Sequence, residues 1–166
     1  MKGTIYFNHG KESGPWGDKI TRLAEVARNK DYAVESVDYT GIMDGDARVQ
    51  KLLDSNAATA QPLILVGSSM GSYVAAAASA SLRPLGLFLL APAFYIPDFP
   101  LQEPIPHAER IALVHGWNDE LIPYENSVRY ARKFKAALHL VESDHRLSSQ
   151  LPLIASLFAG FLDQLP

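Results

Sequence analysis

Short apolar runs recur along the chain, and each is followed by a longer segment whose apolar positions return every three or four residues. The runs GTIYFN (3–8), AVESVDY (33–39), PLILVG (62–67), LGLFLLAP (85–92), RIALVHG (110–116) and ALHLVES (137–143) predict six strands. Between and after them, helical spacing predicts helices over 18–30, 46–55, 70–82, 124–136 and 148–164. The first carries Ile20, Leu23, Ala24, Val26 and Ala27 on one stripe, with Asp18 as its expected cap. The last carries Leu151, Ile154, Leu157, Phe158, Phe161 and Leu162. Strands this short and this apolar, alternating with helices, belong to a sheet covered on both faces. Right-handed crossovers then give an α/β three-layer sandwich, doubly wound around a mostly parallel six-stranded sheet.

Ligands in such sheets sit at the carboxyl ends of the strands, so the positions that matter lie just after residues 8, 39, 67, 91, 115 and 142. The segment APAFYIPDFPLQEPIPH (91–107) breaks the alternation with five prolines and no regular period. It reads as a long loop over that end of the sheet, too short to form a cap domain.

A length of 166 residues suits one domain, 1–166, with a proper core. The formal net charge of -3 and the scattered Lys and Arg give no polyanion-binding pattern, so no nucleic-acid partner is expected. The absence of cysteine excludes disulfides and thiolate chemistry. The N-terminus, MKGTIYFNHG, lacks the apolar length of a signal peptide, and no segment reaches membrane-spanning length. The expectation is a chain that starts at residue 1 and stays in the cytoplasm.

The third strand runs into its helix through Gly67-Ser68-Ser69-Met70-Gly71, a G-x-S-x-G sequence in the strand-then-helix context that gives it meaning. A turn this abrupt lifts the Ser69 hydroxyl above the strand end and aims the amides of the helix start into the same space. A serine needs a base to take its proton, and that base is most often a histidine oriented by a carboxylate. For this elbow the chain order is serine, acid, histidine. Of five histidines, His139 falls inside a strand and His107 in the proline-rich loop. His9 and His115 stand beside glycines, where they suit the shaping of turns. His145 alone follows the last strand and precedes the last helix. The acid is expected from HGWNDELIP, with Asp119 first choice and Glu120 and Asp144 as alternatives. The backbone N–H groups of Met70 and Lys11 are the expected oxyanion donors.

Taken together, the HG loop at 9–10, DYTG at 38–41, GSSMG at 67–71, HGWNDELIP at 115–123 and SDHRL at 143–147 resemble the α/β-hydrolase superfamily. Most of the chain is covered. The last two stretches look most like its small, lidless single-domain esterases and acyl-protein thioesterase-like serine hydrolases. The resemblance implies a minimal fold without cap domain and Ser69, Asp119 and His145 as a triad. It starts at what would be the third strand of larger members. The implied activity is hydrolysis of small-molecule carboxylic esters or thioesters with short to medium acyl chains, needing no metal or cofactor. Phe94, Tyr95, Ile96 and Phe99 are expected to line the acyl pocket, facing Trp117, Leu121 and Ile122. The same triad on a peptide, lactone or C–C bond is the alternative chemistry, and a catalytically silent binding scaffold the alternative class.

Overall fold

The computed structural model describes residues 1–166. Strands β1 (Thr4–Asn8), β2 (Ala33–Val37), β3 (Leu63–Ser68), β4 (Gly86–Leu90), β5 (Arg110–Gly116) and β6 (Ala137–Val141) form one sheet in the order β2-β1-β3-β4-β5-β6. Every neighbouring pair is parallel, where the sequence implied a mostly parallel sheet. Helices α1 (Asp18–Asn29), α2 (Gly45–Leu53), α3 (Met70–Leu82), α4 (Tyr124–Phe134) and α5 (Leu151–Asp163) cover both faces.

The strands sort their side chains by period two, so each feeds both cores. Ile5, Phe7, Ile64, Val66, Phe88, Leu90, Ala112 and Val114 pack beneath α1 and α5. Tyr6, Leu63, Leu65, Leu87, Leu89 and Leu113 pack beneath α2, α3 and α4. Helix α3 is enclosed almost all round, which explains its run of alanines: a helix wedged over the middle of the sheet has room for little more. The chain reverses its winding between β1 and β3, and that crevice is where open parallel sheets bind ligands.

Most element ends differ from the sequence reading by one to three residues, and three of the differences have a clear local cause. Asp18 does not cap α1: Gly17 is the N-cap and Asp18 is the first helical residue, where its charge favours the positive helix end. Strand β2 stops at Val37 because Tyr39 turns away and gives its N–H to the His9 ring at 2.8 Å. The last helix starts at Leu151, after a 3₁₀ turn over Ser148–Gln150 that follows Leu147 at φ 62°.

Phe158 joins α5 to the sheet, fully buried between Phe7 (ring centroids 6.4 Å apart) and Phe88 (5.0 Å). Phe158→Ala is expected to cost about 3–5 kcal/mol, read as a lower urea midpoint with an unchanged m-value.

Candidate active site

The turn from β3 into α3 is built on two close approaches. A Cβ on Gly67 would lie 2.4 Å from the Gly71 carbonyl oxygen, and a Cβ on Gly71 only 1.8 Å from that of Asn8. No side chain fits at either position, so α3 can begin hard against the end of β1. Between them Ser69 takes φ 54°, ψ -117°, a conformation that costs of order 1–3 kcal/mol in a residue with a side chain. It is held there by its N–H to the Leu90 carbonyl at 2.8 Å, and by the Ser72 and Ala93 amides on its own carbonyl.

Three loop ends converge on Ser69. Its hydroxyl lies 3.0 Å from His145 Nε2, and His145 Nδ1 lies 2.7 Å from Asp119 Oδ2. In the tautomer these contacts favour, Nδ1–H donates to the carboxylate and Nε2 accepts from the hydroxyl. Asp119 Oδ1 accepts the Leu121 and Ile122 amides at 2.9 and 2.8 Å, which fixes the carboxylate plane. The Asp119 carboxylate is wholly buried. Of the alternatives, Asp144 turns away to accept the Arg146 amide, and Glu120 is exposed. His107 meets Arg83 in the proline-rich loop, and His139 lies within β6. Ser68, the neighbouring serine, is buried in β3.

A second histidine backs the acid. His115 Nε2 lies 3.1 Å from Asp119 Oδ2 and 2.9 Å from the Ile122 carbonyl, while Nδ1 meets Ser127 Oγ at 2.7 Å. Burial pushes its pKa below the usual imidazole value, so it stays neutral and serves as a hydrogen-bond donor. The sequence reading gave His115 a turn-shaping role; its ring instead braces the carboxylate and the loop that carries it.

The loop after β1 is held by an unusual residue. Arg48 of α2 is 0% exposed and has no carboxylate partner. Its guanidinium donates to the carbonyls of Ile42 (2.7 Å), His9 (2.8 Å), Gly10 (3.1 Å) and, more weakly, Lys11 (3.4 Å). The His9 ring adds a bond from Nδ1 to the Gly10 carbonyl at 2.7 Å and accepts the Tyr39 amide at Nε2. With its carbonyls drawn toward Arg48, the loop leaves the Lys11 amide without an acceptor in the protein. Met70 is the first residue of α3, where a backbone N–H has no intrahelical acceptor. The signal for Arg48 is in the sequence: it shares a helix face with Leu52, a charge on an apolar stripe.

A cavity of about 560 Å³ opens beside Ser69 and His145. Leu121 and Ile122 line it, together with Lys11. Phe94, Tyr95, Ile96, Phe99 and Trp117 are not on its wall. Phe94 is buried and stacked on Tyr130 at 4.0 Å, Phe99 packs on Tyr73 at 4.7 Å, and Tyr95 lies under Arg129. Trp117 packs edge-on against Tyr124. The proline-rich loop spends its aromatics on sealing the α3–α4 side of the core, and Ile96 stays with it in the turn closed by the Phe99 amide. The cavity is instead bounded by the loop after β1, the start of α1 and the loop after β6, and its hydrophobic side chains are Ile20, Leu121 and Ile122. No group of three or more His, Asp or Glu side chains comes together as a metal site. No helix is long and apolar enough to cross a membrane.

No protein-family model matches the chain, and neither does any curated protein sequence. Solved structures do. A Xanthomonas campestris pv. campestris protein assigned to the alpha/beta hydrolase superfamily is 35% identical, covering 98% of this chain and 99% of its own, with a TM-score of 0.89. Est1E from Butyrivibrio proteoclasticus, solved with ferulic acid bound, is 17% identical over 98% of this chain and 88% of its own, at a TM-score of 0.83. A second Xanthomonas campestris protein, an α/β serine hydrolase without lid, is 18% identical over 98% and 82%, at a TM-score of 0.72. At those lower identities the last two speak for the fold alone.

Two predictions test this architecture. Arg48→Met strands the carbonyls of His9, Gly10 and Ile42 in the interior, so it should lower unfolding free energy by about 3 kcal/mol in urea titration. His9 and His115 both have pKa values lowered by burial. As pH falls below the unperturbed value of about 6.5, the unfolded chain takes up protons that the folded one refuses. Stability should therefore be full at neutral pH and decline from about 6.5 downward. Thermal melts between pH 7.5 and 5 should show that decline, with a shallower slope in His115→Gln.

Proposed function

The chain belongs to the α/β-hydrolase superfamily, and on that footing we propose that it is a serine hydrolase of small carboxylic esters or thioesters. The observation that carries the reading is the unbroken line from Ser69 Oγ through the His145 ring to the buried Asp119 carboxylate, at 3.0 and 2.7 Å.

In this reading Ser69 Oγ attacks the acyl carbonyl as His145 Nε2 takes its proton, leaving a tetrahedral oxyanion and an imidazolium. Asp119 holds the ring in its working tautomer and offsets the charge it gains. The amides of Met70 and Lys11 receive the oxyanion, each worth roughly 3–4 kcal/mol in a preorganised site. Collapse breaks the bond to the leaving oxygen or sulfur, which takes the proton back from His145. Water, deprotonated by the same ring, then attacks the acyl-serine and releases the acid. The nucleophile, the base, its orienting acid and the oxyanion donors in this sequence all come from the chain itself.

The apolar lining of the cavity is confined to Ile20, Leu121 and Ile122, which supports small acyl groups over long ones. A peptide, lactone or C–C bond would place different demands on the leaving-group side, and no feature of the wall favours one of them.

A fluorophosphonate probe should form one adduct, mapped by mass spectrometry to the peptide carrying Ser69. Labelling should vanish in Ser69→Ala and slow by about a thousandfold in His145→Ala. Folded wild-type protein that takes no label would count against the serine mechanism.

A further inference from the structure

Charge on the cavity wall is not used by the chemistry proposed above. Lys11, Lys19 and Arg146 line it, together with Glu12 and Asp18. None of the five joins an ion pair in the protein. Four are exposed, and water solvates them. Lys19 is half-buried in the first turn of α1.

Its ammonium has three N–H donors and a single partner, the Arg146 carbonyl at 3.0 Å. The nearest carboxylates are committed elsewhere. Asp119 gives Oδ1 to the Leu121 and Ile122 amides and Oδ2 to two histidines. Asp144 Oδ1 accepts the amides of Arg146 and Leu147. Lys19 thus has no carboxylate in direct contact, and burial brings its pKa down to about 8, only partly offset by the more distant charges of Asp144 and Asp119. It remains cationic at neutral pH, with two donors unspent on the wall of the cavity that Ser69 also lines. A buried-side cation in that state gains most from an anion delivered by the substrate.

We propose that Lys19 receives a carboxylate carried by the substrate, so that the favoured substrates are small esters or thioesters that bear a carboxylate. The inference rests on the serine-hydrolase reading and adds its substrate class. The alternative role for Lys19 is a strut, tying α1 to the loop that carries His145 through the Arg146 carbonyl. A strut acts on charged and neutral substrates alike; a receptor acts on their ratio.

The test uses two isosteric pairs at pH 7, followed by proton release. Ethyl hydrogen succinate against ethyl levulinate places the carboxylate on the acyl side. Acetoxyacetate against acetoxyacetone places it on the alcohol side. In at least one pair the anionic ester should have the higher kcat/KM, by about tenfold, as expected for a charge-assisted hydrogen bond. Lys19→Met should bring that ratio close to one, and Lys19→Arg should keep most of it, with thermal melts showing that both variants are folded. Wild-type ratios at or below one in both pairs overturn the proposal. So does a preference that survives in Lys19→Met, or an equal loss on both members of a pair. An enzyme that labels with fluorophosphonate yet leaves all four esters intact overturns it too. If Ser69 takes no label at all, the failure belongs to the serine-hydrolase reading, and this inference falls with it.

Discussion

The start of α3 presses so closely on the end of β1 that a single methyl group at Gly71 would collide with the Asn8 carbonyl at 1.8 Å. The geometry of the site follows from that contact. It forces the strand-to-helix turn into the conformation that raises Ser69, and it sets the first-strand loop beside the start of α3. The parallel register does the rest. Asn8 pairs with Gly67, Ser68 with Leu90, and Gly116 with Val141, so the strand ends stand level along one edge of the sheet. Loops that leave a level edge can meet. The Asn118 amide reaches the Ser143 carbonyl at 3.0 Å, joining the segment that carries Asp119 to the one that carries His145.

A second constraint is how the interior handles polar groups at this edge. Arg48 is a buried cation answered only by carbonyl dipoles, a costly arrangement unless its donors are used. Here four bonds take four of the five N–H groups, and the Tyr39 ring lies 5.1 Å from the guanidinium carbon. Asn8 completes the network, donating to the Val66 carbonyl and accepting the Tyr39 hydroxyl at 2.7 Å. No buried side-chain nitrogen or oxygen is left without a partner. A loop fixed this way cannot adjust to incoming charge, and preorganised donors stabilise charge better than donors that must reorient.

The elements of the fold were legible because each strand feeds two cores and each helix feeds one, which writes periods of two and of three to four into the chain. Boundaries blurred where a side chain from another loop intervened, as at Tyr39, whose amide leaves the sheet for the His9 ring. Ser69, Asp119 and His145 were reachable through chain order and spacing. The choice of Asp119 over Asp144 turns on a local fact that spacing does not carry, namely that Asp144 is occupied by the amides two and three residues on. The aromatic loop misled for a physical reason. Phe94 and Phe99 have the composition of a pocket, but Tyr130 and Tyr73 offer them a closer apolar surface than any ligand would. Arg48 was visible as a charge on an apolar helix face, and its partners were not, since they are backbone carbonyls far away in sequence.

The aromatic seal and the cavity wall have a common origin. A chain this short with no cap has two long stretches near the site edge: 91–107, and the loop after β1 leading into α1. The first carries Phe94 and Phe99 and is drawn over the α3–α4 side, where apolar area can be buried. What remains to wall the cavity is mainly the segment from Lys11 to Ile20, without Pro15 and Trp16, facing Leu121, Ile122 and the loop after β6. Hydrophobic burial thus consumes the aromatic side chains of the 91–107 loop, and leaves Ser69 on a cavity that it shares with Ile20, Leu121, Ile122 and the half-buried Lys19. With Ile20, Leu121 and Ile122 as the hydrophobic side chains on the wall, polar complementarity carries the rest of the discrimination between ligands.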